Sequence, residues 1–407
     1  MPRVVVVGAG AAGTMAAIFA ASEGADTLLV ERTKDGGRKI LISGGGRCNI
    51  LPARLDESRF VTDSSPHLLR RIVRSWPLHE QIAFFEHELE LPLVEETESG
   101  KLFPKSQRAR DVRDRLLAHA RRKGVAIVTD ALVTGVRQAA DRWIVQRQKG
   151  DPLEGDAVVL ATGGLSVPNT GSDGRGLQIA EAFGHALNPT YAALTPLTSD
   201  SPFAHLSGVS LTVTITARSG AREAQATGGF LFTHQGYSGP SVLDVSHVAV
   251  RSLVEGREPA TITVQWTPLR DDDWDEALRP RATRTVLAAV SAELPHRLAD
   301  ALAAAARVEP SRSLAQLGRA ERLRLINNLV RGELPWTGDE GYKKAEVTGG
   351  GVNLADIDSR TMESRKHKGL FMCGEMLDAF GPIGGYNFLW AWVTGRAAGI
   401  GAANRLR

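Results

Sequence analysis

Cysteine is nearly absent from this chain of 407 residues, which holds two, Cys48 and Cys373, and no CxxC pair. That argues against a redox dithiol and a thiolate zinc cluster, and it fits a reducing, cytoplasmic setting. Long apolar runs are also missing, and none approaches the ~18 residues of a membrane span. No charged segment with a following apolar stretch precedes the first strand at Val4, so no secretory signal is expected. An excess of charge of one sign is lacking too, since 49 Lys and Arg against 46 Asp and Glu leave +3. Such a balance has no basic footprint for RNA, so neither nucleic acid nor membrane is expected as a partner. The densest basic run, Arg108 to Lys123, carries Val112, Leu116 and Leu117 on one side and reads as a solvated helix face. No His/Asp/Glu cluster has metal-ligand spacing, and no GxSxG nucleophile motif is present.

Glycine is plentiful at 42 residues, and much of it is clustered, as in turns that bring backbone close to a ligand. The N-terminus reads as a β-α-β unit: strand Val4–Val7, turn Gly8–Gly13, helix Thr14–Glu23, strand Thr27–Val30. Helices are expected over Ser65–Leu89, Arg110–Lys123 and Gly176–Phe183, and strands over Val125–Val128, Trp143–Gln146 and Ala157–Leu160. Apolar strands of this kind belong in a buried parallel sheet. The texture changes near residues 189–196. Leu211–Thr216 and Ala260–Trp266 are β-rich, and Arg279–Leu329 is helical in composition. The first texture returns at the end, with strand Gly369–Met372 and a last helix Asn387–Asn404. Residues 1–189 and 346–407 are therefore expected to form one discontinuous domain. Residues 190–275 with 335–345 form a β-rich insert, and 276–334 a helical one.

The turn Gly8-Ala9-Gly10-Ala11-Ala12-Gly13 follows a strand and opens a helix, and Glu31 closes the next strand. Together these make a dinucleotide-binding fingerprint. Gly8 permits the tight turn, Gly10 lets a pyrophosphate approach, and Gly13 lets the helix pack on the sheet. Glu31 suits ribose hydroxyls and would repel a 2′-phosphate. Ala161-Thr162-Gly163-Gly164 ends a second buried strand, and Gly374-Glu375 ends a third, with Asp378 close behind. Carboxylates there suit ribityl hydroxyls or the pyrophosphate. Three such elements far apart in sequence point to FAD rather than to NAD alone.

The glycine-dense loop Ser43-Gly44-Gly45-Gly46 leaves room for a flat ring against the backbone, and Arg47 and Asn49 supply donors at its rim. Cys48 reads as a small buried residue. Gly37-Arg38-Lys39-Ile40-Leu41-Ile42-Ser43-Gly44-Gly45-Gly46-Arg47-Cys48-Asn49 resembles the signature of the BaiN/RdsA (YhiN-like) family of NAD(P)/FAD-dependent oxidoreductases. So do Leu231-Phe232-Thr233-His234 with Gly236-Tyr237-Ser238-Gly239-Pro240, then Val347-Thr348-Gly349-Gly350-Gly351-Val352, Thr361-Met362-Glu363-Ser364 and Gly384-Gly385-Tyr386-Asn387. The resemblance spans essentially the whole chain. It implies an α/β fold with a two-dinucleotide-binding, Rossmann-like FAD domain, an inserted β-barrel-like domain and a small helical insert. One departure is Arg175, in Gly171-Ser172-Asp173-Gly174-Arg175-Gly176, where relatives commonly carry Asp.

The expected cofactor set is completed by Ala12, Arg32, Lys39, Cys48, Val133, Gly385 and Tyr386. Asn387, at the start of the last helix, is expected either to donate to the flavin's N1–C2=O edge or to cap its helix. His234, Tyr237 and Tyr386 are weighed as proton donors, and His234, Tyr386 and Asn387 are taken as the catalytic set. The expected activity is that of an FAD-dependent oxidoreductase. It passes a hydride through flavin N5 between NAD(P)H, or an organic donor, and a small organic substrate or oxygen. A fumarate-reductase-like alkene reductase is the first alternative. An RNA-related flavoprotein and a flavin-binding sensor are the others.

Overall fold

Val4 to Val7 are β-branched and at most 5% exposed, and they occupy the middle strand of a parallel sheet. In a computed structural model that describes residues 1–200, 202–280 and 284–405, the strand order is Leu370–Met372, Ala157–Leu160, Arg3–Val7, Asp26–Val30, Ala126–Val128. Every neighbouring pair in it is parallel. Both faces of such a sheet must be covered, which is why its strands are apolar without alternation.

The helix Ala11–Ser22 and the last helix, Tyr386–Asn404, come together through small residues. A Cβ on Gly395 would lie 2.3 Å from the Ala12 carbonyl oxygen, and one on Gly399 2.2 Å from that of Ala16. Two glycines four apart leave a side-chain-free stripe on one helix face, and the backbone of the first helix fills it. The two ends of the chain are thus built into one core, with Met1–Ala192 and Glu346–Arg407 forming one compact unit. Among the described residues smaller sheets add to it: Leu51–Pro52, Lys101–Pro104 and Leu93–Glu96; Val133–Ala139, Arg142–Arg147 and Leu153–Gly155; and the pair Leu187–Ala193 with Val347–Val352. The continuous helix expected over Ser65–Leu89 is broken into Pro66–Val73, Leu78–Ala83 and one wide turn, Phe84–Glu88. Pro77 has no N–H to continue the ladder.

The second unit is Ala193–Ala345. Its sheet has seven strands, ordered Gly332–Glu333, Thr261–Gln265, Ser210–Ser219, Arg222–Phe232, Gly236–Ser238, Leu197–Thr198, Gly338–Asp339. Helix Pro240–Val254 buries Val242, Val245, Val248 and Ala249 in the same cluster as the sheet's Val213 and Ile215. A separate helical insert over 276–334 is replaced by one shared core. Leu298, Leu302, Leu325 and Leu329 pack into the cluster that holds Trp266 and Val264. Of the run read as helical from Arg279, residues 281–283 lie outside the described residues. Among the described residues no helix is long and apolar enough to cross a membrane.

Candidate active site

The turn after the first strand is shaped by contacts at two of its glycines and by open space at the third. Gly8 has φ +104°, and a Cβ on it would lie 2.5 Å from the Ala161 carbonyl oxygen. A Cβ on Gly13 would lie 1.8 Å from the Gly8 carbonyl oxygen, whereas nothing stands within 4 Å of one on Gly10. Gly10 caps the helix Ala11–Ser22 without a side-chain hydrogen bond. The first helical N–H groups and the positive end of the helix dipole therefore face a space with no side chain in it. A pyrophosphate fits such a cradle.

Glu31 is 8% exposed, and its carboxylate fastens the turn. Oε2 accepts from the Ala9 N–H at 2.9 Å, and Oε1 from the Thr33 N–H at 2.8 Å and the Thr33 hydroxyl at 2.7 Å. A carboxylate has room for about four acceptor contacts, so a ribose hydroxyl can still be received. Arg32 donates to Asp173 Oδ2 at 2.6 Å and to the Gly171 carbonyl at 3.2 Å, which ties the Gly171–Gly176 turn to the end of the second strand. Val133 is buried and begins its strand two residues after Ala131, whose N–H binds the Glu31 carbonyl at 2.9 Å.

Segments far apart in sequence close a ring around this turn. A Cβ on Gly36 would lie 2.7 Å from Ala9 Cβ, and one on Gly374 2.8 Å from Ala12 Cβ. Between them, Lys39 Nζ meets Glu375 Oε2 at 2.6 Å and Ser166 Oγ at 2.7 Å. Glu375 Oε1 also accepts from the N–H and the hydroxyl of Thr348, both at 3.0 Å. Ser166 and Thr348 join the Lys39–Glu375 network, and the sequence reading did not single them out. Thr348 stands in a quoted motif, but its partners are remote. Glu346 carries a carboxyl pushed up by desolvation, with Lys39 acting the other way, although part of the side chain meets solvent. The Thr162 hydroxyl oxygen is buried with no hydrogen-bond partner among the described residues.

The Ser43–Gly46 loop is a tight turn with Gly44, Gly45 and Gly46 at φ +55°, +67° and +85°. Side chains rarely adopt that conformation, so the run of three glycines is a backbone requirement. Nothing lies within 4 Å of a Cβ on Gly45, and Ile42 beside it is 52% exposed. A flat ring therefore fits against this loop. Arg47 is already engaged. It stacks 4.2 Å above the Phe103 ring and pairs with Glu96 at 2.9 Å. The Asn49 side chain makes no hydrogen bond among the described residues.

Cys48 is fully buried, and burial pushes its thiol up to about 12. The Cys373 thiol is pushed up for the same reason. Since the thiolate is the nucleophile, neither should react in the folded protein. An Ellman titration at pH 8 is expected to count no thiols before denaturation and both afterwards.

The start of the last helix corrects the sequence reading. The Asn387 side chain neither caps its helix nor points a free donor outward. Its Nδ2 donates to the Gly381 carbonyl and its Oδ1 accepts from the Gly381 N–H, each at 2.9 Å. Gly385 is the cap, in the left-handed region at φ +91°, and a Cβ there would lie 2.4 Å from the Leu51 carbonyl carbon. Tyr386 is 4% exposed and packs edge-on to Phe60, with its hydroxyl held by the Asp56 N–H at 3.3 Å and the Arg54 carbonyl at 3.5 Å. It is a core residue, so the reading of Tyr386 and Asn387 as catalytic gives way to one in which they shape the helix entry. Asn387→Leu strands both buried groups of Gly381 and is expected to cost about 2–3 kcal/mol, with a midpoint potential within error of wild type. Urea unfolding and redox titration check the two halves.

Asp378 is 2% exposed, and its Oδ2 accepts from Ser64 N–H and Oγ at 2.7 Å, Asn188 Nδ2 at 2.6 Å, and Thr62 Oγ1 and Asp63 N–H at 3.0 Å. It locks the segment after Glu375 and does not present a carboxylate to solvent. His234 lies in the second unit, exposed on a turn whose Thr233 hydroxyl accepts from the N–H groups of Gln235 and Gly236. Tyr237 in the same turn is buried, with its hydroxyl on Ser199 at 3.2 Å.

The family description "HI0933-like protein Rossmann domain" matches residues 2–401. The 3-dehydro-bile acid delta(4,6)-reductase of Clostridium scindens is 32% identical over 414 residues, covering 100% of both chains. The ribosomal RNA dihydrouridine synthase of Escherichia coli is 32% identical over 395 residues, covering 96% of this chain and 95% of that protein. Among solved structures, a flavocytochrome c3 fumarate reductase aligns with TM-score 0.52 at 17% identity, over 99% of this chain and 78% of that one. The 3-ketosteroid-delta4-(5alpha)-dehydrogenase of Rhodococcus jostii RHA1 aligns with TM-score 0.50 at 16% identity, over 99% and 97%. At such identity these two show the fold.

Proposed function

The chain belongs to the HI0933-like family, and from that membership we propose that it is an FAD-dependent oxidoreductase that reduces a carbon–carbon double bond conjugated to a carbonyl group. The observation that carries the cofactor is the open face at Gly10, in a turn whose Ala9 and Ala12 are met by Gly36 and Gly374. The reaction class rests on the names of two full-length relatives. A reductase of a 3-dehydro-delta(4,6) acid and a dihydrouridine synthase both describe addition of hydrogen across such a bond.

Bound FAD would supply a hydride through N5, and the protein supplies position and electrostatics. The Gly8–Gly13 turn would hold the pyrophosphate and Glu31 a ribose, and Lys39 and Glu375 would serve the cofactor's middle with the Gly163–Gly164 segment. The backbone of Gly44–Gly46 and the N–H groups after Gly385 would serve the ring, where partial positive charge favours a developing anion. The second hydrogen enters as a proton on the carbon next to the carbonyl, and His234 is the proposed donor. NAD(P)H is the proposed source of electrons. It docks transiently, because the chain has no second strand–GxGxxG–helix unit.

The low net charge argues for a small-molecule substrate, whereas the relatives named for ribosomal RNA reopen nucleic acid as a partner. Anaerobic stopped-flow with NADH and NADPH separately, followed by a 3-oxo-4,6-diene steroid or a uridine-containing ribosomal RNA fragment, tests the reading. Reoxidation by one of them, with a product heavier by two hydrogens, is expected. A reduced flavin that neither acceptor reoxidises would overturn it.

A further inference from the structure

A pocket of about 270 Å³ in the first unit is lined by Arg71, Ser75, Ser359, Arg360, Arg396 and Ile400. Three of these side chains are cationic, and no lining residue is acidic. Arg396 is the half-buried one. Its guanidinium lies 5.3 Å from the ring centroids of both Phe19 and Trp76, stacking that sets its direction before any ligand arrives. Neither Arg396, Arg71 nor Arg360 has a carboxylate within ion-pair distance among the described residues. Burial draws the Arg396 guanidinium down from its ordinary value, while the charges of Glu80 and Glu23 act the other way. The hydroxyls of Ser75 and Ser359 make no hydrogen bond among the described residues.

Like charges brought to one pocket repel one another, and none of the three has a protein acceptor among the described residues. The geometry points to a ligand that answers both, and we propose that this pocket binds a phosphate group, on a nucleotide or in an RNA backbone. Guanidinium forks match phosphate oxygens two at a time, and serine hydroxyls supply the neutral donors beside them. The site is separate from the cofactor turn. Arg396 comes ten residues after the first residue of its helix, Tyr386, and Phe19 comes eight after Ala11. At about 1.5 Å per residue the two lie roughly 12–15 Å along their helices from the ends that border the cofactor.

The test uses the FAD-loaded protein, with inorganic phosphate and a short single-stranded RNA as probes in calorimetry. Arg71 and Arg360 are exposed, so Arg71→Gln with Arg360→Gln should keep the fold and the FAD content. Arg396→Met reads the third cation, with circular dichroism as its control. At least a tenfold weakening of phosphate binding in the double variant is expected. If RNA binding weakens in parallel, and its salt slope falls by about 0.7 for each lost contact, the phosphate belongs to RNA. If only phosphate binding weakens, it belongs to a small molecule. No binding of either probe by wild type, or equal binding by wild type and double variant, would overturn the proposal.

Discussion

Gly10→Leu should purify as a folded, colourless protein, with FAD content at least tenfold below wild type. Position 10 is in extended backbone at φ −78°, which any residue adopts, and a Cβ there meets nothing of the protein within 4 Å. The new side chain thus occupies only the space proposed for the pyrophosphate. Gly13→Ala is the contrasting variant. Its Cβ would lie 1.8 Å from the Gly8 carbonyl oxygen, a backbone atom that cannot swing away. Overpacking of that kind costs about 3 kcal/mol or more, so Gly13→Ala should lose stability and FAD together. Absorbance at the flavin band, read against circular dichroism and urea midpoints, separates the two. A yellow Gly10→Leu protein with stoichiometric FAD would show that the phosphates lie elsewhere.

Asp378→Ala should be more destabilising than Asn387→Leu. One oxygen of that buried carboxylate collects five hydrogen bonds from Thr62, Asp63, Ser64 and Asn188. Its removal leaves those donors unpaired in the interior, a loss of about 3–5 kcal/mol. Asp378→Asn keeps one acceptor oxygen and should recover part of it. Urea unfolding of FAD-free protein is the measurement, because it isolates the fold from the cofactor. If both variants unfold like wild type when FAD-free yet bind FAD poorly, the carboxylate acts as a cofactor ligand after all.

The sequence by itself determined the features whose cause is local. A strand of Val4–Val7, a turn with glycine at 8, 10 and 13, and an acidic Glu31 closing the next strand mark a nucleotide-binding fingerprint, because its spacing lies within one β-α-β unit. The run of glycines at 44–46 was legible as a loop without side chains, while its left-handed backbone came only from the structure. The return of apolar strand texture at Gly369–Met372 likewise announced a domain made from both ends of the chain.

Partners remote in sequence were decided only by the tertiary structure. Lys39 finds Glu375 across 336 residues, and no spacing rule announces it. Asp378 and Glu375 are three residues apart and look alike on paper. The former is turned into the packing around Ser64 and the latter toward Lys39, because neighbouring side chains leave a turn in different directions. Tyr386 and Asn387 were read as chemistry, since a helix entry rich in glycine suits a flavin edge. The fold uses their polar atoms to tie the backbone at 54–56 and at 381, because a buried N–H or C=O without a partner costs as much as a lost hydrogen bond. Local pattern settled where the chain could turn and pair, and three-dimensional packing settled which polar groups were left free to meet a ligand.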